Sequence, residues 1–276
     1  MCPGCGALVG VKDDTCYNCG RRNPALWGFS PLLRHLGQDL GLTNVVTVAC
    51  VGLYLATVLV TQGRQGMGGG AGFLSPDPLA LIQFGASGAF PVFVMGRWWT
   101  ILSASWLHGG LLHIFFNMFS LRQLAPPTAD MFGAGRTVII YVTAGAAGFV
   151  LSSLAGRYLY WVPIGFLRGG TYTIGASASI FGLIGALYHY GERSGSAHIR
   201  QYMAQNAVLW VLWGVFMPGI DNYAHAGGFA GGYLMARWLD PLTRERVDHL
   251  IAALVCLALS ALAVIASLLS GLPPLR

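Results

Sequence analysis

Runs of apolar residues recur along this chain near 44–62, 104–122, 137–155, 174–190, 202–217, 223–239 and 250–270, parted by short stretches that hold most of the charge. A helix rises about 1.5 Å per residue, and about 20 apolar residues cross the hydrocarbon core of a bilayer. The pattern therefore predicts seven membrane-spanning helices. Several runs are short, which suits helices that end inside a protein-lined cavity. The piece PLALIQFGASGAFPVFV, within the stretch 63–103, is also apolar, but Gly85, Gly88 and Pro91 interrupt it. It reads as lying at the membrane interface, with Trp98 and Trp99 as anchors at headgroup level. Ahead of the first run, residues 23–43 (Pro24, Trp27, Pro31, Gly37, Gly41) read as a linker.

Composition points the same way. Of 276 residues, 55% are hydrophobic and only 9% charged, against about 25% charged in an average soluble domain. So little charge does not cover a water-facing surface, and the bilayer is the natural solvent. The 39 glycines fit helices that pack closely in lipid. A net charge of +6 is scattered over short loops rather than gathered in a patch, so nucleic acid is not expected as a partner. The basic residues read as topology signals instead. Lys12, Arg21, Arg22 and Arg34 precede the first run, Arg193 and Arg200 lie between the fourth and fifth, Arg237 lies at the end of the sixth, and Arg244 and Arg246 lie between the sixth and seventh. The positive-inside bias then puts the N-terminus in the cytoplasm and the C-terminus outside, in a multi-pass protein of a bacterial-type inner membrane. The first residues show no basic-then-apolar leader. Cys50 and Cys256, single in apolar stretches, read as core residues.

Polar groups within membrane helices are expensive, so they ask for a reason. Three stretches stand out: HGGLLHIFFN with His108, His113 and Asn117; TIGASASIFGLIGA with Ser177 and Ser179; and DNYAHAGGFAGG with Asp221, Asn222 and His225. His113 and Asn117 are four apart and share one helix face. Ser177 and His225 each sit near the start of a run that enters from the same side, which puts them at similar depth. Gly182 on one run, and Gly227, Gly228, Gly231 and Gly232 on the other, allow the two backbones to approach. A serine with a histidine in reach is the minimum of an activated nucleophile, and donors aimed at a developing oxyanion complete the set. HExxH, the mark of a metalloprotease, is absent from the sequence. Asp130 and Asp221, the carboxylates weighed as an aspartyl pair, lie outside the runs in different settings and do not read as one.

These segments resemble the rhomboid intramembrane proteases over roughly residues 44–240. The resemblance lies in GASA at 175–178, AHAGG at 224–228 and HIFFN at 113–117, in the family's order, and in the stretch FGASGAFPVFVMGRWWTILSASWLHGG. It implies an all-α polytopic fold with a six-helix core over 44–240, followed in 241–276 by one extra C-terminal transmembrane helix and a tail. It implies serine endopeptidase activity on single-span membrane protein substrates, near the outer face of the bilayer, with no cofactor for catalysis. Residue by residue it makes Ser177 the nucleophile and His225 the general base. His113 and Asn117, with the Ser177 backbone N–H, become the oxyanion hole, and Phe181 packs on the base. A catalytically inactive relative that binds or escorts membrane proteins is one alternative, and a transporter or channel with buried polar residues is the other, although the internal repeats common in transporters are not seen. The chain departs from the family pattern at Ala178, where Gly is usual, at Thr100, where Arg often follows Trp, and at Asp130, where Glu is common. The literal Gly-x-Ser-Gly at 85–88 lies in a broken loop, so Ser177 is preferred to Ser87. Ser179 points to another helix face.

Residues 1–22 form a separate unit. Cys2, Cys5, Cys16 and Cys19 are spaced C-x2-C-x10-C-x2-C, each pair followed by Gly. Two such knuckles suit a tetrahedral four-cysteine zinc site of the ribbon kind. Some 20 residues build no apolar core, so a structural Zn2+ would supply the folding energy. Two disulfides are the competing reading, and the reducing cytoplasm disfavours it.

Overall fold

A computed structural model of the chain describes residues 2–10, 13–24, 39, 41–65, 74–164, 167–216 and 219–271. Among the described residues, seven long helices account for the seven apolar runs: α1 (Leu42–Gln65), α2 (Leu111–Phe132), α3 (Ala134–Tyr158), α4 (Ser177–Ser194), α5 (Ala197–Phe216), α6 (Asn222–Leu239) and α7 (Val247–Leu269). Among the described residues the fold is all-α, with two isolated backbone bridges in place of any strand. The chain is a polytopic integral membrane protein. By length and composition α1, α3 and α7 are each able to cross a bilayer; the other four are 18 to 22 residues long. Lys12, most of the segment 23–43 with Trp27, Pro31, Arg34 and Gly37, and the run GMGGGAG at 66–72 lie outside the described residues.

Two helix boundaries differ from the hydropathy pattern. The second helix starts at Leu111 rather than 104, because Gly109 and Gly110 break the chain and 104–106 forms a separate 3-10 turn. It then runs to Phe132 through Pro126 and Pro127. Inside a bundle, neighbouring helices compensate for the backbone donors that proline removes. The fifth helix starts at Ala197, since a polar first turn carries no hydropathy signal.

The stretch 75–107 folds against the helices as a structured element of its own. Asp77 accepts from the Ala80 N–H at 2.6 Å and caps a short helix, Pro78–Phe84. That helix ends at Gly85, whose φ of +109° is left-handed backbone that glycine adopts freely. A π-helical turn (Phe90–Val94) and a short helix (Thr100–Ser103) follow. Leu81, Ile82, Phe84 and Ala86 are buried in a cluster with Leu107. Trp98 remains 65% exposed, as an anchor would be. Trp99 does not: its Nε1–H donates to Ser267 Oγ of α7 at 3.1 Å.

The centre of the bundle is α3, α4 and α6. Without water to squeeze out, membrane helices hold together by close packing, and here glycine sets the spacing. A Cβ on Gly232 of α6 would collide with the Gly182 backbone of α4, and one on Gly228 with the Ala178 backbone. Gly227 and Gly231 instead face Ala147 and Gly148 of α3. At the far end Arg136 of α3 donates to Leu239 O, Asp240 O and Thr243 O, pinning the end of α6.

Candidate active site

Ser177 opens α4, and the preceding chain is shaped to present it. Gly175 has φ +125°, and its N–H donates to Ala104 O at 2.9 Å. A Cβ there would sit 2.7 Å from His113 Nε2, so only glycine lets that imidazole reach the serine segment. His225 lies in the first turn of α6. Its Nε2 is 3.0 Å from Ser177 Oγ. Phe181, one turn after Ser177, stacks on the His225 ring with centroids 4.1 Å apart and planes at 11°, which fixes the imidazole's orientation. His225 is buried while Ser177 is partly open. His225 Nδ1 is buried and lacks a hydrogen-bond partner among the described residues.

His113 is oriented by its own helix start. The Gly109 N–H donates to His113 Nδ1 at 3.3 Å. A neutral ring that accepts at Nδ1 carries its proton on Nε2, and Nε2 is the atom facing Gly175 and the serine segment. Asn117 is buried one turn below, and its Nδ2 donates to His113 O at 2.8 Å. That uses one of its two amide hydrogens. His108 is fully buried, edge-on to His113 with ring centroids 5.1 Å apart.

The rival serines sit elsewhere. Ser179 is fully buried, 3.2 Å from Ser105 Oγ. Ser87 is also fully buried, with its hydroxyl oxygen 3.4 Å from Thr100 Oγ1. Its loop is broken in sequence yet firmly held, because Ser87 and Thr173 exchange backbone hydrogen bonds at 3.0 and 2.7 Å. Ser87 is thus a brace beside the serine segment.

Asp221 matters in a way the motif reading passed over. It accepts from the Ala224 N–H at 3.0 Å, capping the helix that carries His225, and from the Ser152 hydroxyl of α3. An Asp directly ahead of a helix start was the available signal.

The four N-terminal sulfurs come together. All lie within 4.8 Å of one another, with Cys2 and Cys16 buried and Cys5 and Cys19 exposed. The two knuckles are near copies. Gly6 N–H donates to Cys2 O and Cys2 N–H to Ala7 O; Gly20 N–H donates to Cys16 O and Cys16 N–H to Arg21 O. Cys2 and Cys19 sulfurs are 3.7 Å apart and Cys5 and Cys16 sulfurs 3.6 Å. A tetrahedron of sulfurs with metal bonds of about 2.3 Å has edges of about 3.8 Å, so the donor set fits a zinc-sized ion. A hydrogen bond from the Ala7 backbone, ahead of one from Asn18, holds the Cys5 thiol down to about 6. Cys19 goes the other way. Its hydrogen bond with the Arg21 backbone lowers it, but the one shared with Cys5 pushes it up to about 12.

Fold and site together define a polytopic membrane protein with a serine–histidine pair at one end of its bundle. The Rhomboid domain family model matches residues 95–242. RHOMBOID-like protein 4 of Arabidopsis thaliana is 31% identical over 172 residues, 59% of this chain and 39% of that protein. Rhomboid protease GluP of Bacillus subtilis is 29% identical over 190 residues, 67% of this chain and 35% of that protein. Rhomboid-like protease 5 of Toxoplasma gondii is 29% identical over 182 residues, 64% of this chain and 20% of that protein. The matches span two fifths or less of these relatives' lengths. The chain belongs to the rhomboid family.

Proposed function

We propose that this protein is an intramembrane serine endopeptidase in which Ser177 is the nucleophile and His225 the general base. The observation that carries this reading is the 3.0 Å approach of His225 Nε2 to Ser177 Oγ, beside the Nε2 of His113. As Oγ attacks a substrate carbonyl carbon, its proton passes to His225 Nε2. The carbonyl oxygen becomes an oxyanion that meets His113 Nε2–H, the free Asn117 amide hydrogen and the Ser177 backbone N–H. His225 then gives its proton to the departing amine, and water repeats the sequence to release the acyl group. No cofactor takes part. Ala178 in place of the usual Gly is no obstacle: it lies inside α4, whose backbone suits any residue.

Single-span membrane proteins in the surrounding bilayer are the substrates on this reading. A peptide bond within a helix is covered and its groups are paired, so the substrate must unwind locally. That favours segments with Gly, Ala, Ser or Pro. With the N-terminus cytoplasmic and the C-terminus outside, Ser177 faces the outer side, where water is at hand. Residues 1–22 form a separate cytoplasmic unit in which Cys2, Cys5, Cys16 and Cys19 hold a structural Zn2+. Residues 23–43 link it to the core at 44–240, and 241–276 add the last helix and tail. An inactive binding or escort protein needs neither the serine nor the histidine, and both are present.

The test is labelling of purified protein with a fluorophosphonate probe, alongside Ser177→Ala, Ser87→Ala and Ser179→Ala. Label should vanish in Ser177→Ala alone. Loss in Ser87→Ala with retention in Ser177→Ala would overturn the assignment.

A further inference from the structure

The last helix ends against the loop 75–107, the outer loop in the orientation proposed above, and the contact is built around a buried charge. Arg97 is only 5% exposed. Its guanidinium donates to Ser270 O at 3.3 Å and to Gly271 O, the carbonyls just past the end of α7, and makes a longer contact of 3.5 Å to Ile82 O. A cation placed on the free carbonyls of a helix C-terminus satisfies them and complements the negative pole of its dipole. Two residues on, Trp99 donates to Ser267 of the same helix at 3.1 Å. Gly85, with no room for a Cβ between Ser103 and Ser267, lets the loop lie flush on α7.

The same loop holds the segment that leads into Ser177. Ser87 and Thr173 exchange two backbone hydrogen bonds, Ala89 N–H donates to Gly170 O at 3.0 Å and Phe90 N–H to Thr171 O at 2.9 Å. Gly175 N–H then donates to Ala104 O. The loop is closed on itself by Arg97 N–H to Pro91 O and Thr100 Oγ1–H to Arg97 O, at 2.9 and 2.7 Å. A continuous set of contacts thus runs from the end of α7, through Arg97, to the residues just before the proposed nucleophile.

The geometry points to Arg97 as a positioning residue for Ser177: by capping α7 it braces the outer loop, and through the loop the 170–175 segment, so that the extra C-terminal helix is a working part of the site. This rests on the protease reading above. Arg97 touches no reacting atom, and its effect is on where Ser177 is held.

The experiment uses the full chain in detergent and compares wild type with Arg97→Gln, Arg97→Lys and Trp99→Phe. Hydrogen exchange is followed at the amides of 87–90 and 170–175, and turnover of a single-span test substrate is resolved into kcat and KM. Arg97→Gln should speed exchange in those two segments, leave the middle of α4 and α6 protected, and lower kcat by about 10-fold or more at nearly constant KM, as a displaced nucleophile does. Arg97→Lys, which keeps the charge but not the fork, should recover part of both effects. Trp99→Phe should show the same pattern more weakly. Unchanged exchange at 87–90 and 170–175 in Arg97→Gln overturns the inference. So does faster exchange throughout α4 and α6 without recovery in Arg97→Lys, since Arg97 would then serve general stability only. A wild type that cleaves nothing would sink the protease reading, and the exchange data would still decide the brace.

Discussion

At the residue scale, the Ser177 hydroxyl lies 3.0 Å from a basic atom, His225 Nε2, and Phe181 keeps that ring in place by stacking. His225→Ala should therefore leave no detectable cleavage of a single-span substrate in detergent, and ordinary turnover by that variant would end the dyad mechanism. Asn117→Ala is expected to be milder. One oxyanion donor is typically worth about 2.7–4 kcal/mol, but His113 Nε2–H and the Ser177 amide remain, so the loss in kcat/KM should be about 10-fold or somewhat more. An unaltered kcat/KM would remove Asn117 from the proposed hole. Asp221 acts one step back. Asp221→Ala deletes the cap of the His225 helix, worth about 1 kcal/mol in typical helices, together with its bond from Ser152. Its thermal midpoint should fall while a slow fluorophosphonate reaction persists.

At the scale of elements, α4 and α6 bring serine and histidine together because small residues let their backbones touch. Gly232→Val pushes a branched side chain into the Gly182 backbone. Overpacking of this kind costs about 1–3 kcal/mol, and it also moves His225 relative to Ser177. Both the thermal midpoint and the rate of probe labelling should drop. Gly52→Ala is the contrasting case. Gly52 sits in α1, and a Cβ there meets nothing within 4 Å, so the variant should match or slightly exceed wild-type stability. Equal behaviour of the two variants in a melting experiment would show that glycine spacing does not govern the bundle.

At the scale of the whole molecule, the N-terminal unit and the membrane bundle rest on different physics. The bundle is held by helix packing. The unit has two knuckles of backbone hydrogen bonds and four converging sulfurs. Elemental analysis should find about one zinc per chain. The double variant Cys2→Ser with Cys16→Ser should lose it yet keep fluorophosphonate labelling of Ser177. Metal-free protein with oxidised cysteines would count against the ribbon, and loss of labelling together with zinc would show that the unit is coupled to the core.

The sequence by itself determined the membrane class, the seven helical runs, the candidate residues Ser177, His225, His113 and Asn117, and the cysteine spacing. Each of these is a local pattern: a run of apolar residues, a polar residue out of place, a fixed interval. Only the tertiary structure decided which partners those residues take. The helix starting at Leu111, the folding-in of residues 78–107, the brace of Ser87 on Thr173 and the clamp of Arg97 on a carbonyl 174 positions away have no periodic signature. A backbone carbonyl looks the same at every position, so a hydrogen bond to one is invisible until the chain has brought the two ends together.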